Sequence, residues 1–259
     1  MSELSQIRNG RITSSGIVDL MSNGRDKTSP GAPFFSYVED CRIERFLEAK
    51  IENDADTKPM QWGRLCELYY HSIEEDIDYI FQRDFHQHFG ATTLVHPKYE
   101  DWVGTPDSVK LKEGIVCDTK CPSSKKNLWN LIFPLYDIKT KKPTGISGNE
   151  AIKLIRSKSK EGEKYYQQLI SNACILGYSK AELIVFFPKY STLTDISLFH
   201  DTKVDPPMDF MRYTNLDTLP YIQDHLDIPE VHKICFDIPE EDKLALELRV
   251  KMAIELINA

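Results

Sequence analysis

Between residues 61 and 81 the apolar positions Trp62, Leu65, Cys66, Tyr69, Tyr70, Ile73, Ile77 and Ile80 recur at steps of three and four. That is the period of a helix with one buried face, so the spacing predicts a single amphipathic helix carrying Glu67. The period then changes. Residues 91–96 and 102–111 read as strands, Lys112-Glu113-Gly114 as a turn, and 115–121 as a second hairpin arm ended by Pro122. Helical spacing returns over 163–176, with Gly177 in the C-terminal cap position, and 181–187 is a continuous apolar strand ended by Pro188.

On the N-terminal side, Ser14 or Ser15 is placed to cap a short helix through Asp19-Leu20-Met21, closed near Gly24, and a second helix is expected over about 34–51. On the C-terminal side, a strand is expected around 232–236. A last helix should begin near Pro239-Glu240-Glu241, whose proline and acids suit a first turn. A length of 259 residues with 41% hydrophobic content supports one α/β domain with insertions or two small domains.

No stretch approaches the 18 apolar residues of a membrane span, and the opening MSELSQIRNGRITSS lacks the apolar block of a signal peptide. A cytosolic protein is expected. The six cysteines include no CxxC pair, which leaves scattered reduced thiols as the reading. Net charge is −8, but it is unevenly spread: residues 123–160 carry nine Lys/Arg against Asp137 and Glu150, a local +7 on a remainder of −15. Such a segment suits a polyanion held along one surface, and equally a solvated lysine-rich loop.

The candidate chemistry lies on the hairpin. Residues two apart on a strand face the same side, so Asp118 and Lys120 project together, with Val116 beside them. Asp107, eleven residues earlier in Gly104-Thr105-Pro106-Asp107, begins the opposite arm, where the turn brings both carboxylates together. Magnesium takes oxygen ligands and keeps several waters, so two carboxylates, with Glu67 as a third, suit it. Gly63, one helical turn before Glu67, leaves that face open to a close approach. An Asp-x-Lys triplet alone is weak, because surface strands alternate charges freely. Here it sits in an otherwise apolar strand, follows Pro106-Asp107 at hairpin spacing and trails a Gly-x-x-x-Glu helix. His71, His86, His88 and His96 fit no zinc-ligand spacing and read as structural or solvent-facing.

Taken together, Pro106-Asp107 followed by Asp118-Thr119-Lys120 resembles the PD-(D/E)XK nuclease signature. Five segments narrow the likeness to the lambda exonuclease and YqaJ-type viral recombinase family. Residues 8–15 (RNGRITSS) are similar to its RxGxxTAS opening, and Trp62-Gly63 through Glu67 to its WGxxxE helix. The tripeptide Thr105-Pro106-Asp107 with Ser108 parallels its (A/C)SPDG, Asp118-Thr119-Lys120-Cys121-Pro122 its ExKCP, and Tyr165 through Gln168 its YxxQ. The likeness spans about residues 8–188. This chain departs from it in lacking a Trp before Arg8, in Ser108, in Asp118 where the family has Glu, and in a longer stretch from Pro122 to Tyr165.

The resemblance implies an α/β fold with a restriction-endonuclease-like PD-(D/E)XK core, a central mixed β-sheet flanked by helices. Residues 1–190 would form the core, with 123–160 as a basic insertion and 191–259 as a C-terminal extension packed on the same domain. It implies that Glu67, Asp107, Asp118 and the Thr119 carbonyl hold Mg²⁺, for which Mn²⁺ can substitute. Lys120 would stand near the attacking water and Gln168 would hydrogen-bond the water or Lys120. Arg8, Ser15, Thr105 and Lys126 would hold a 5′-terminal phosphate. A 5′ to 3′ exonuclease acting on double-stranded DNA in phage-type recombination follows from the same likeness. So do a homotrimer and a single-strand annealing protein as partner. The other readings are an endonuclease built on the same core, restriction-like or junction-cleaving, and a non-catalytic DNA-binding relative.

Overall fold

The computed structural model describes residues 7–51 and 56–259. The first six residues, read above as part of a stretch without a signal peptide, lie outside them. Five strands form the main sheet, in the order β2 (Tyr79–Phe81), β5 (Ser108–Lys110), β6 (Ile115–Lys120), β7 (Lys180–Phe186), β8 (Val231–Asp237). Neighbours are antiparallel except β6 and β7, which run parallel with Asp118 level with Leu183. A second sheet of three short strands has the order β1 (Ile12–Thr13), β4 (Trp102–Gly104), β3 (Leu94–Val95).

The two-residue period of β6 and β7 divides the interior. Val116, Leu183 and Val185 point into one apolar cluster, and Ile115, Cys117, Ile184 and Phe186 into another on the opposite face. The first cluster takes in residues of α1 (Ile17–Leu20), α2 (Ala32–Leu47), α5 (Lys125–Ile132), α6 (Gly148–Lys158), α7 (Lys160–Leu176) and α9 (Glu240–Ile257). The second face is covered by α3 (Lys58–Ile73) and α8 (Thr192–Lys203), where Tyr69 meets Phe199 edge-on at 5.7 Å. A short helix, α4 (Phe85–Phe89), completes the set of regular elements. Among the described residues, no helix is long and apolar enough to cross a membrane.

The helix expected over 61–81 stops at Ile73, although apolar residues continue at the same spacing. Glu74 accepts from the Asp76 N–H and Asp76 from the Asp78 N–H, a pair of side-chain bonds that satisfies backbone donors outside a helix. Ile77 is left 92% exposed, and Tyr79 and Phe81 then alternate inward as β2. The expected strand over 102–111 is two strands in two different sheets, because Thr105 and Pro106 interrupt it and Pro106 has no N–H for a ladder. Ser14 and Ser15 do not cap the first helix. Its N-cap is Gly16, and Ser14 is turned inward to share a 2.8 Å hydrogen bond with Ser171. The helix expected over 34–51 runs from Ala32 to Leu47 and ends where Glu48 takes a left-handed conformation, φ 51°.

The basic segment is mostly ordered into α5 and α6, with Ala151, Ile152 and Ile155 of α6 buried. Only its middle is a loop, where Lys139, Lys141 and Lys142 lie exposed around an Asp137 turn. The C-terminal part is woven into the sheet: β8 pairs with β7 over its whole length, and Leu246, Val250 and Ala253 of α9 enter the same cluster as Val116.

The small sheet is tied to α7 by a buried polar link. The Trp102 indole N–H donates to Ser171 Oγ at 2.8 Å, and Ser171 in turn meets the Ser14 hydroxyl. All three side chains are excluded from water, so each depends on the others for a partner. Gly104 sits in the same place, where an added Cβ would lie 2.3 Å from Asn172 Oδ1 and 2.6 Å from Ser14 Oγ. Ser171→Ala is expected to cost about 1–3 kcal/mol, the penalty of leaving buried donors unpaired. Urea denaturation measures it, and a loss below roughly 0.5 kcal/mol would show that the link does not hold the small sheet in place.

Candidate functional site

The β5–β6 hairpin places its charged residues by register. Ser108 lies opposite Cys117, so Asp107, one residue before β5, falls beside Asp118 and Thr119. The Thr119 N–H donates to Asp107 Oδ2 at 2.7 Å, and the Gln82 N–H to the Asp107 carbonyl at 2.9 Å. The aspartate is therefore held at both ends. On the face of β6 toward α7, Asp118 has no solvent exposure. Its Oδ1 accepts from Gln168 Nε2 at 2.9 Å, and its Oδ2 lies 2.7 Å from Lys120 Nζ without a hydrogen bond of ordinary geometry. Lys120 Nζ also sits 4.9 Å above the ring of Tyr165, which is one turn before Gln168 on α7.

Glu67 arrives from the other face. Helix α3 closes on the end of β6 at Gly63, where a Cβ would stand 3.4 Å from the Cys121 carbonyl oxygen. One turn beyond Glu67, His71 Nε2 pairs with Thr119 Oγ1 at 3.2 Å and its ring tilts against Phe81 at 4.4 Å. His71 thus ties the helix that carries Glu67 to the strand that carries Asp118 and Lys120. The i, i+4 spacing of Glu67 and His71 was visible in the sequence, but nothing there marked Thr119 as the partner.

Burial pushes the Glu67 carboxyl up to about 7; Lys120 opposes that shift and Asp118 adds to it. Asp107 is raised well above the usual carboxylate range by burial and then by Glu67 and Asp118, with Lys120 again opposing. Burial works against the Lys120 ammonium, but Asp118 and Asp107 outweigh it and raise its pKa. Three carboxylates thus crowd one ammonium in a place with little water, the electrostatic condition for drawing in a further cation. The donors are all hard oxygens, and Asp118 Oδ2 is a buried acceptor with spare capacity. Among the described residues, no three His, Cys, Asp or Glu side chains already form a finished metal cage.

The four residues expected around a phosphate divide in two. Arg8 Nη2 donates to Ser15 Oγ at 3.0 Å, and both line a small cleft with Arg11, Thr13 and Tyr37. Thr105 instead shares a hydrogen bond with Thr93 at 3.2 Å, and Lys126 is exposed on α5. Helix α1 is four residues long and begins at Ile17 after its N-cap Gly16, so its N-terminus supplies no anion site at Ser14 or Ser15.

His96 stacks on Trp102 at 4.6 Å, His86 and His88 lie on α4, and the six cysteines are free. Tyr165 provides the aromatic surface beneath the Lys120 ammonium.

No protein-family model matches the chain, and neither does any curated protein. Solved structures do match. The alkaline exonuclease LHK-Exo from Laribacter hongkongensis is 15% identical, with a TM-score of 0.55 over 100% of this chain and 93% of that one. LHK-Exo in complex with dAMP gives a TM-score of 0.54 at 15% identity over the same shares. A phage-related exonuclease from Haemophilus somnus 129PT is 14% identical, with a TM-score of 0.53 over 96% of this chain and 93% of that one. The chain thus shares its overall fold, a mixed sheet with helices on both faces, with these exonucleases.

Proposed function

We propose that the chain is a Mg²⁺-dependent DNA exonuclease that hydrolyses phosphodiester bonds from the ends of duplex DNA, in the 5′ to 3′ direction. The observation that carries this reading is the meeting of Asp107, Asp118, Lys120 and Gln168 at the end of the β5–β6 hairpin, with Glu67 facing them from α3. The shared fold adds to it, and one of the proteins with that fold was crystallised with dAMP, a mononucleotide of the kind such digestion releases.

Asp107, Asp118, Glu67 and the Thr119 carbonyl are the oxygens that would hold Mg²⁺. When bound, that ion lowers the pKa of water and offsets charge on the phosphate. Lys120 brings a second positive charge to the side where the phosphate gains negative charge in the transition state. Gln168 fixes one oxygen of Asp118, which leaves the other to face the reaction, and the Tyr165 ring limits where the ammonium can swing. Arg8 and Ser15 supply the clamp for a terminal 5′-phosphate, which sets the direction. In this reading Thr105 and Lys126 reach the phosphate from outside the Arg8 cleft.

Asp107→Ala, Asp118→Ala and Lys120→Ala are each expected to cut Mg²⁺-dependent digestion of linear duplex by roughly 10³-fold or more, since the groups act as one unit. Circular dichroism should show the fold retained. Near wild-type digestion by any of the three removes that residue from the core, and equal cutting of closed circular DNA by the unmutated protein favours the endonuclease.

The carboxylate shifts also predict a pH response. Glu67 has a folded value of about 7 against an ordinary 4.5, so the metal-free folded chain keeps a proton that the unfolded chain releases. That stabilisation is complete below the ordinary value and is lost as pH rises through the folded one. In EDTA the Tm should fall between about pH 5 and about pH 8, and Mg²⁺ at the higher pH should restore it. Buried His71 and His232, each lowered to about 4, act in the opposite sense at the acid end, so the Glu67→Gln variant isolates the effect by flattening the fall. A slope unchanged in that variant contradicts the assignment.

A 5′-phosphorylated end should be degraded faster than a 5′-hydroxyl end, and Arg8→Ala should erase most of the difference while leaving Mg²⁺ affinity unchanged. Equal rates on both ends in the unmutated protein remove the clamp from the reading.

A further inference from the structure

One cleft near the carboxylates has no part in the chemistry described so far. It has a volume of about 220 Å³ and opens where β6 ends: Cys121, the residue after Lys120, forms part of one wall and Tyr165 part of another. Lys120 Nζ lies over the Tyr165 ring, so a phosphate reached by that ammonium has the mouth of the cleft next to it. We infer that this cleft is a nucleobase subsite, in which Asn127 and Asn130 of α5 receive the base of the nucleotide flanking the scissile phosphate. The inference rests on the nuclease reading above and extends it to how the substrate is held.

The walls are built from three elements. The first turn of α3 brings Met60, 53% exposed, and α5 brings the buried Leu131; with the Tyr165 ring these give the cleft its apolar and aromatic surface. Asn127 and Asn130 are one turn apart and so share a side of α5, while Glu161 precedes Tyr165 by one turn on α7. Among the described residues, neither asparagine carboxamide is engaged by another protein group; only the Asn127 backbone N–H is used, donating to Ser124 at the helix cap. Two uncommitted amides therefore line a slot with apolar and aromatic faces.

The chemistry selects the ligand. No Lys or Arg lines the cleft, and Glu161 does, so a phosphate is disfavoured there. Lys125, which could have served one, is instead 4.7 Å over the Tyr221 ring on another side of α5. A nucleobase has what these walls lack and offers what they can use: a flat apolar face for stacking and an edge with both donors and acceptors. A carboxamide carries both kinds of group and can present either, so it reads a base edge without insisting on one base. Glu161 can only accept when ionised, which favours bases with an exocyclic amine over thymine. The volume lies below the ~300–1,000 Å³ that encloses a drug-sized ligand, a fit for one ring system and not for a stack.

The test is calorimetric titration of the full chain, with Mg²⁺ present, by dAMP, dTMP and deoxyribose 5-phosphate. Stacking and edge contacts should make dAMP bind at least roughly tenfold more tightly than deoxyribose 5-phosphate, with dTMP between them. The Asn127→Ala/Asn130→Ala double variant should lose most of that advantage while binding deoxyribose 5-phosphate as before, which also shows that it folds. Glu161→Gln should bring dAMP and dTMP closer together. Equal binding of dAMP and deoxyribose 5-phosphate, no dAMP binding at millimolar concentration, or an equal loss for both ligands in the double variant would overturn the subsite. Digestion of linear duplex is measured on the same samples. Digestion without a base advantage defeats the subsite alone, whereas a base advantage without digestion supports the subsite and defeats the nuclease reading.

Discussion

Keeping a carboxylate out of water is expensive unless its oxygens find partners, and Asp118 is such a group on a central strand. Much of the architecture serves that requirement. Helix α7 lies where Gln168 can bond one oxygen, β6 itself returns Lys120 to the other, and the Tyr165 ring closes over the ammonium. Asp107 and Glu67 bring two further carboxyl groups to the same place, and burial first, then the neighbouring carboxylates, pushes both upward. A structure that wanted only stability would fill such a place with apolar side chains.

Local chemistry was legible in the sequence where it depended on local geometry. The hairpin arms followed from alternation and from Gly114 in the turn, where φ is +64°, and the meeting of Asp107 with Asp118 followed from their spacing. Glu67 could be placed on a helix but not against a partner, since the approach of α3 to β6 is set by packing at Gly63 and by His71 on Thr119. The errors have specific causes. Ile77 and Ile80 prolong a helical pattern that the Glu74 and Asp76 side chains end. Residues 102–111 look like one strand, and the change of sheet at Thr105-Pro106 is set by the distant strands with which each half pairs. Ser14 looked like a helix cap and is a buried partner of Ser171, a contact across 157 residues that no local signal announces.

The cleft beside Arg8 illustrates the same limit. Arg8 and Ser15 are seven residues apart and meet, as near neighbours in the chain commonly do. Thr105 and Lys126 belong to other elements, and their positions depend on how the small sheet and the basic segment pack. That segment is helical over most of its length because Ile152 and Ile155 have a core to enter, a consequence of tertiary context that charge counting does not register.

The pairing of β7 with β8 bears on how the molecule comes into being. The sheet that carries Asp118 has its far edge formed by residues 231–237, and α9 seals the cluster into which Val116 points. Contacts that join such distant parts of a chain form late, after the entropy of closing long loops has been met. During synthesis, then, every element that supplies a charged group to the site leaves the ribosome well before the strand that completes their support. A nascent chain would hold these charged groups for some seconds without the rigid frame that aligns them, so the cluster would take its final geometry as a late event of assembly.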